Sequence, residues 1–198
     1  MGFGQVGARK PPLWQALSEP RGSDKFKKDT LINTGSASHS DYKGSGYDRG
    51  HLAPAADMTW SKQAMDESFF YSNMSPQTPS FNRGVWRKLE SRIRKWVVDY
   101  DSLYITTGPV LDTNLTSIGK EVAVPDYFFK SIIGFKDSVV NAIAFILPNE
   151  GSKKNLEDFV VSIDSLETFS GLNLNAKTDA RLQDSLEKTT CFTCWNFD

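Results

Sequence analysis

The stretch VAVPDYFFKSIIGFKDSVVNAIAFILPN, residues 122–149, decides the fold. It holds two apolar runs rich in β-branched and aromatic residues, punctuated by Pro125, Gly134 and Pro148. A third run of the same kind, SLYITTG (102–108), lies just upstream, and DFVVSI (158–163) adds a short one. Such runs, bounded by Gly and Pro, read as strands. Ahead of them the spacing is helical. From Asn82 onward Trp86, Leu89, Ile93 and Trp96 fall on one face. The other faces carry Arg83, Arg87, Lys88, Arg92, Arg94 and Lys95 against Glu90 alone. SKQAMDESFFYSN (61–73) also predicts a helix, with Ser61 as its cap and Ala64, Met65, Ser68 and Phe69 on one face. DSLETFSG (164–171) predicts a helix with a capping box of Asp164 and Glu167 and a stop at Gly171. Residues 176–188 predict a weaker helix through Leu182 and Leu186. Strands and helices alternate without βαβ regularity. The expected fold is therefore α+β, a single domain with a central, mostly antiparallel β-sheet flanked by helices. Residues 1–30 read as an irregular N-terminal arm anchored by Leu13, Trp14 and Phe26, and residues 31–198 as the domain. Within it, residues 31–50 are dense in Gly, Ser, Asn and Asp and read as a loop.

The composition narrows the function. The chain has 198 residues, 39% hydrophobic and 12% aromatic, enough for a real core and against disorder. The net charge of −1 supplies no global field toward nucleic acid, so any such attraction must come from local clustering. No apolar run approaches the ~18 residues of a membrane span, so no membrane partner is expected. The N-terminus lacks a charged start followed by an apolar core, so no signal peptide is predicted. Cys191 and Cys194 form a C-x-x-C near the C-terminus. No nearby Cys/His pair completes a zinc tetrahedron, and no strand–helix context makes the pair thioredoxin-like.

The chemistry gathers in three pieces. GYDRGHLAPAAD (46–57) contains His51, one of two histidines in the chain, beside Asp48, Arg49 and Gly50. SNMSPQTPSFN (72–82) follows, and then WRKLE (86–90). Asn82 and Glu90 lie two turns apart on the predicted helix and about 80° out of line, so both can address one site. An amide oxygen and a carboxylate suit a hard, hydrated cation such as Mg2+. A neutral histidine nearby can take a proton from a water that attacks phosphorus. An adjacent arginine can grip a phosphate oxygen, and Gly50 permits a tight backbone next to a bulky ligand. Taken singly each residue has a plainer reading: a structural histidine, a surface ion pair, a helix cap, a solvated basic face.

Together they resemble the DNA/RNA non-specific endonuclease family, which has mitochondrial and secreted bacterial members. The resemblance rests on YDRGHLAPAADMTWS (47–61), MDESFFYSNMSPQTPSFNRGVWRKLE (65–90), YITTGPV (104–110) and VAVPDYFFK (122–130), and covers about residues 21–175. It implies a ββα-metal (His-Me finger) core, in which a β-hairpin carries the histidine and the following helix carries the metal-binding asparagine. Residue by residue, His51 matches the general base and Asn82 the direct Mg2+ ligand. Glu90 matches the acid that holds metal-bound waters, Arg49 the arginine at the scissile phosphate, and Asn73 an asparagine lining the site. Asp48 matches a supporting residue, and Arg21 a phosphate-binding arginine upstream. The basic helix, with Arg83 and Arg87, is the candidate substrate surface.

The implied activity is Mg2+-dependent hydrolysis of DNA and RNA, with Mn2+ as an alternative ion. Attack is in line, products carry 5′-phosphates and no base is read. The resemblance also implies an exported or organellar setting and is compatible with a homodimer. Two features depart from the family. The stretch before Arg21 is shortened, and the C-x-x-C tail is not part of the signature. Two rivals remain at this level: a catalytically inactive nucleic-acid-binding module of the same fold, and a phosphodiesterase acting on small nucleotides.

Overall fold

A computed structural model describes residues 4–9, 26–176, 183, 186–188 and 190–198. In chain order its elements are β1 (Gly4–Arg9), α1 (His39–Tyr42), β2 (Asp48–His51), α2 (Lys62–Glu67), β3 (Met74–Gln77), α3 (Arg87–Asp99), β4 (Ser102–Val110), β5 (Ser117–Ile118), β6 (Val122–Ala123), β7 (Tyr127–Lys136), β8 (Val139–Pro148), β9 (Val160–Val161) and α4 (Ile163–Ser170). The three apolar runs become β4, β7 and β8, the middle of a five-stranded sheet ordered β1-β4-β7-β8-β9 with every pair antiparallel. β2 and β3 form a separate antiparallel pair, as do β5 and β6.

Helices cover both faces of the sheet, which is why its strands read as near-continuous apolar runs. Side chains alternate across a strand. Phe128 and Ile132 therefore face one way, with Ile143, Phe145 and Leu147 of β8, onto Trp86 and the Leu89, Ile93 and Trp96 stripe of α3. Phe129 and Ile133 face the other way, with Ala142 and Ala144, onto Ile163 and Leu166 of α4. Each fully buried large side chain contributes about 1.5–3 kcal/mol, so the α3 face anchors the fold. Among the described residues no helix is long and apolar enough to cross a membrane.

The structure corrects several sequence expectations. The arm is not irregular over Gly4–Arg9, which adds an antiparallel edge strand to β4. The helix expected from Asn82 is broken. Phe81–Trp86 is a wide, π-type turn, and Gly84 takes a non-helical φ of −105° and ψ of −112° before α3 begins. Glycine, with no Cβ to clash, accepts this conformation. Asn82 and Glu90 thus stand on either side of a kink. Ser61 caps α2 as expected, its hydroxyl accepting from the Ala64 N–H, but the helix stops at Glu67. Residues 122–135 split at Pro125: Val122–Ala123 pairs with β5, and β7 starts at Tyr127. The cap of α4 is Ser162, which accepts from the Ser165 N–H, and not Asp164. Gly171 closes that helix in the left-handed conformation as expected. Residues 39–42 of the expected loop form a helical turn. Of the weak helix at 176–188, only residues 176, 183 and 186–188 lie within the described residues.

Cys191 and Cys194 are joined by a disulfide. The residues that follow it close the α3 face of the core. Trp195 stacks on Tyr100 at 4.7 Å and lies 4.8 Å from Trp96, whose Nε1 donates to the Asn196 carbonyl.

Candidate active site

The short strand β2 sets the directions of the chemistry-bearing side chains. It pairs with β3 in the register Asp48–Gln77, Arg49–Pro76, Gly50–Ser75 and His51–Met74. Asp48 and Gly50 face one side, Arg49 and His51 the other. Gly50 is buried against Gln77, and a Cβ at position 50 would lie 2.1 Å from the Gln77 Cδ. Gln77 is fully buried and has no room to retreat. Gly50→Ala should therefore lower stability by about 1–3 kcal/mol, read as a drop in urea midpoint. An unchanged midpoint would show that the hairpin tolerates the methyl group.

His51 is half-buried and held by its surroundings. Its ring meets Phe69 edge-on at 5.0 Å and lies 6.2 Å from Phe26. Its carbonyl accepts from Trp86 Nε1 at 3.4 Å. The backbone just beyond is clamped by Asn73. The Leu52 N–H donates to the Asn73 carbonyl, the Ala53 N–H donates to Asn73 Oδ1, and Asn73 Nδ2 donates to the carbonyls of Ala53 and Ser68. Every polar atom of the Asn73 amide is committed to backbone. The residue braces the His51 segment.

Asp48 orients the start of the kinked turn. Asn82 Nδ2 donates to Asp48 Oδ2 at 2.9 Å, and Arg83 donates from Nε and Nη2 at 2.8 and 2.6 Å. Burial pushes Asp48 up, but these hydrogen bonds outweigh it and leave the carboxyl below its ordinary range. Arg83 is 70% exposed, so the pair is screened and adds little stability; its effect is geometric. With Nδ2 fixed on Asp48, Asn82 keeps Oδ1 as an acceptor that no described residue uses. Arg83 gives Nε and Nη2 to Asp48 and keeps Nη1 toward solvent. Arg87 is exposed and bonds to no described residue. Arg21 lies outside the described residues.

Arg49 is packed between two rings, 5.0 Å from the Phe26 centroid and 5.3 Å from that of Tyr42. Its Nη2 donates to His39 Nδ1 at 3.1 Å. A guanidinium only donates, so His39 Nδ1 is the acceptor and its proton sits on Nε2. The second histidine, given no role by sequence reasoning, thus steers Arg49.

Glu90 belongs to a further polar cluster. It is half-buried on α3, and burial lifts its pKa to about 7 against the pull of Lys130. Arg94, one turn on, bonds Asp57 at 2.9 Å. The sign of the Glu90 effect is definite. A carboxyl with a raised folded pKa stabilises fully below its ordinary value of about 4.5, and this is lost as pH rises through 7. The metal-free protein should thus be less stable at pH 8 than at pH 5 by an amount on the order of a few kcal/mol. Urea unfolding of Glu90→Gln at both pH values should show that difference shrink. Equal pH dependence in variant and wild type would remove Glu90 as its source.

Asn82 Oδ1 and the Glu90 carboxylate are hard oxygen donors, and a carboxylate held so high is one a cation would relieve. The donor set fits Mg2+ or Mn2+ bound by few protein ligands. A cleft of about 430 Å³ lies against β3, lined in part by Asp29, Asp41, Glu121, Tyr71, Ser75 and Lys120. It includes none of His51, Asn82 and Glu90, and three carboxylates against one lysine give it the wrong sign for a phosphate backbone. Sequence reasoning also missed Trp86 as a hydrogen-bond donor and Lys130 altogether. The signal for the latter was a lysine inside an apolar strand.

The sequence pattern of the DNA/RNA non-specific endonuclease family matches residues 11–181. Mitochondrial endonuclease G from Bos taurus is 36% identical over 167 residues, 77% of this chain and 56% of the bovine one. Nuclease C1 from Cunninghamella echinulata is 38% identical over 187 residues, 86% of this chain and 74% of its own. The mitochondrial nuclease of Saccharomyces cerevisiae is 37% identical over 201 residues, 90% of this chain and 61% of the yeast protein. The chain thus spans less than two thirds of the length of the bovine and yeast relatives. In a crystal structure of the EndoG/EndoGI complex, a chain superposes with a TM-score of 0.80 at 28% identity, covering 95% of this chain and 81% of that one. By sequence pattern, identity and fold alike, the chain belongs to the DNA/RNA non-specific endonuclease family.

Proposed function

We propose that this chain is a Mg2+-dependent endonuclease that hydrolyses phosphodiester bonds in DNA and RNA without reading bases. The observation that carries the proposal is the Asp48–Asn82 hydrogen bond. It occupies Asn82 Nδ2 and so leaves the amide oxygen as an acceptor that no described residue uses, at the strand that bears His51. On this reading β2, β3 and the kinked turn into α3 form a ββα-metal site, within a catalytic domain of residues 31–198 that borrows β1 from the arm. Asn82 Oδ1 would hold the cation directly and Glu90 through water. A bound divalent ion offsets negative charge as it develops on the phosphate oxygens.

The chain's own groups do the rest. His51, as the neutral imidazole, takes the proton from the attacking water. Its position is fixed through its own carbonyl, by Trp86, and through the next two residues, by Asn73. Arg49 supplies a cation to a phosphate oxygen, its direction set by His39 and the flanking Phe26 and Tyr42 rings. As the water oxygen bonds phosphorus the P–O3′ bond breaks, the departing 3′ oxygen takes a proton from solvent water to leave as a hydroxyl, and the other product carries a 5′-phosphate. No base-reading element is needed, because phosphate contacts alone supply sequence-independent affinity. Binding should weaken as salt rises.

Competition among supercoiled plasmid, RNA and a small chromogenic phosphodiester tests the substrate class. Cleavage of both polymers, with the small diester a poor substrate, supports the reading. Turnover of the small diester alone would replace it with a small-molecule phosphodiesterase.

A further inference from the structure

Lys130 is an anomaly in the core. It lies on the α3 face of β7 between Phe128 and Ile132, and only 1% of it is exposed. Methionine or leucine would fill this register without burying a charge, and replacing buried charges with apolar groups is often neutral or stabilising. The ammonium is nevertheless retained and fully engaged. Nζ donates to the Leu52 carbonyl at 3.3 Å and to Thr107 Oγ1 at 3.2 Å. It also sits 4.5 Å from the centre of the Trp86 ring. Thr107 donates its own proton to the Phe129 carbonyl, which leaves a lone pair for the lysine.

These contacts converge on one place. Leu52 directly follows His51, and Trp86, which packs under the ammonium, bonds the His51 carbonyl itself. Two successive carbonyls at the end of β2 are therefore held by side chains from β7 and from the turn into α3. Burial lowers the Lys130 pKa, and Glu90, which the lysine pulls down in return, opposes that loss of charge.

We infer that Lys130 is a positioning residue for the reaction, fixing the peptide that follows His51 relative to Trp86 and α3. The inference rests on the nuclease reading above. Lys130 touches no substrate; it acts through Leu52 and Trp86. Its loss should cost rate rather than folding, because the register itself is apolar.

The test is Lys130→Met in the full chain, with plasmid cleavage at saturating Mg2+ and a thermal melt run beside wild type. The expected result is a melting temperature no lower than wild type, an unchanged KM and a kcat reduced about tenfold or more. A variant that fails to fold or melts below wild type would show the lysine to be structural and overturn the inference. So would a well-folded variant whose kcat falls by less than about tenfold, or one whose loss lies in KM. Wild type that does not cleave would sink the nuclease reading, and the inference with it. Cleaving wild type beside an unimpaired variant sinks the inference alone.

Discussion

Replacing His51 with alanine should lower kcat by about 10²–10⁴-fold, the usual contribution of a positioned general base. Folding should survive. The ring is half-buried and meets Phe69 edge-on at 5.0 Å, a contact worth about 0.5–1.5 kcal/mol beyond its area. The bonds that hold the segment run through backbone, from Trp86 to the His51 carbonyl and from Asn73 to Ala53, so alanine keeps them. A large loss of rate with near-native melting would place the chemistry on the imidazole. Residual activity within about tenfold of wild type would mean that another group takes the proton.

The second large effect concerns the metal. Asn82→Ala removes the Oδ1 left open by the bond from Nδ2 to Asp48, and should raise the Mg2+ concentration for half-maximal rate by about 10–100-fold. Part of the rate should return at high Mg2+. Asn82→Asp is more discriminating. Aspartate is a good ligand for a hard cation, yet here it would set a carboxylate against Asp48 across a contact that now measures 2.9 Å. Two like charges so close disfavour joint ionisation, so Asn82→Asp should also be poor. Adding Asp48→Asn should then recover activity, a coupling measurable as a double-mutant cycle. An unchanged Mg2+ titration in Asn82→Ala would refute the ligand assignment.

What the sequence revealed, and what it hid, follows from the range of the interactions. β4, β7 and β8 were legible because both of their faces are buried and apolar, β-branched and aromatic residues dominate them, despite Lys130 and Ser131 in β7. The α3 stripe was legible because Trp86, Leu89, Ile93 and Trp96 repeat at the helical period. β1 was not. GQVGAR carries two glycines and one β-branched residue, and its strand character comes from pairing with β4, far along the chain. The kink at Gly84 was hidden because the apolar periodicity runs straight through it.

The site divides in the same way. Residues whose roles are set by their own chemistry, His51 and Asn82 above all, stand out in the motif. Residues whose roles come from what they touch do not. Asn73 shows its bracing role only when Ser68 and Ala53 come to meet it. Arg83 shows its hold on Asp48 only when β2 and the turn into α3 come together. His39 belongs to no motif and Lys130 shows only as a charge inside an apolar run; they matter through Arg49 and Leu52.

The most direct test of the central claim is nicking of supercoiled plasmid by the purified chain, with Mg2+ titrated and a parallel series in EDTA. The account predicts conversion to open-circular and linear DNA that rises with Mg2+, is abolished by EDTA and is restored by Mn2+, with 5′-phosphate ends on the products. Folded, Mg2+-supplied protein that binds plasmid without cutting it would contradict the account and leave a nucleic-acid-binding module in its place.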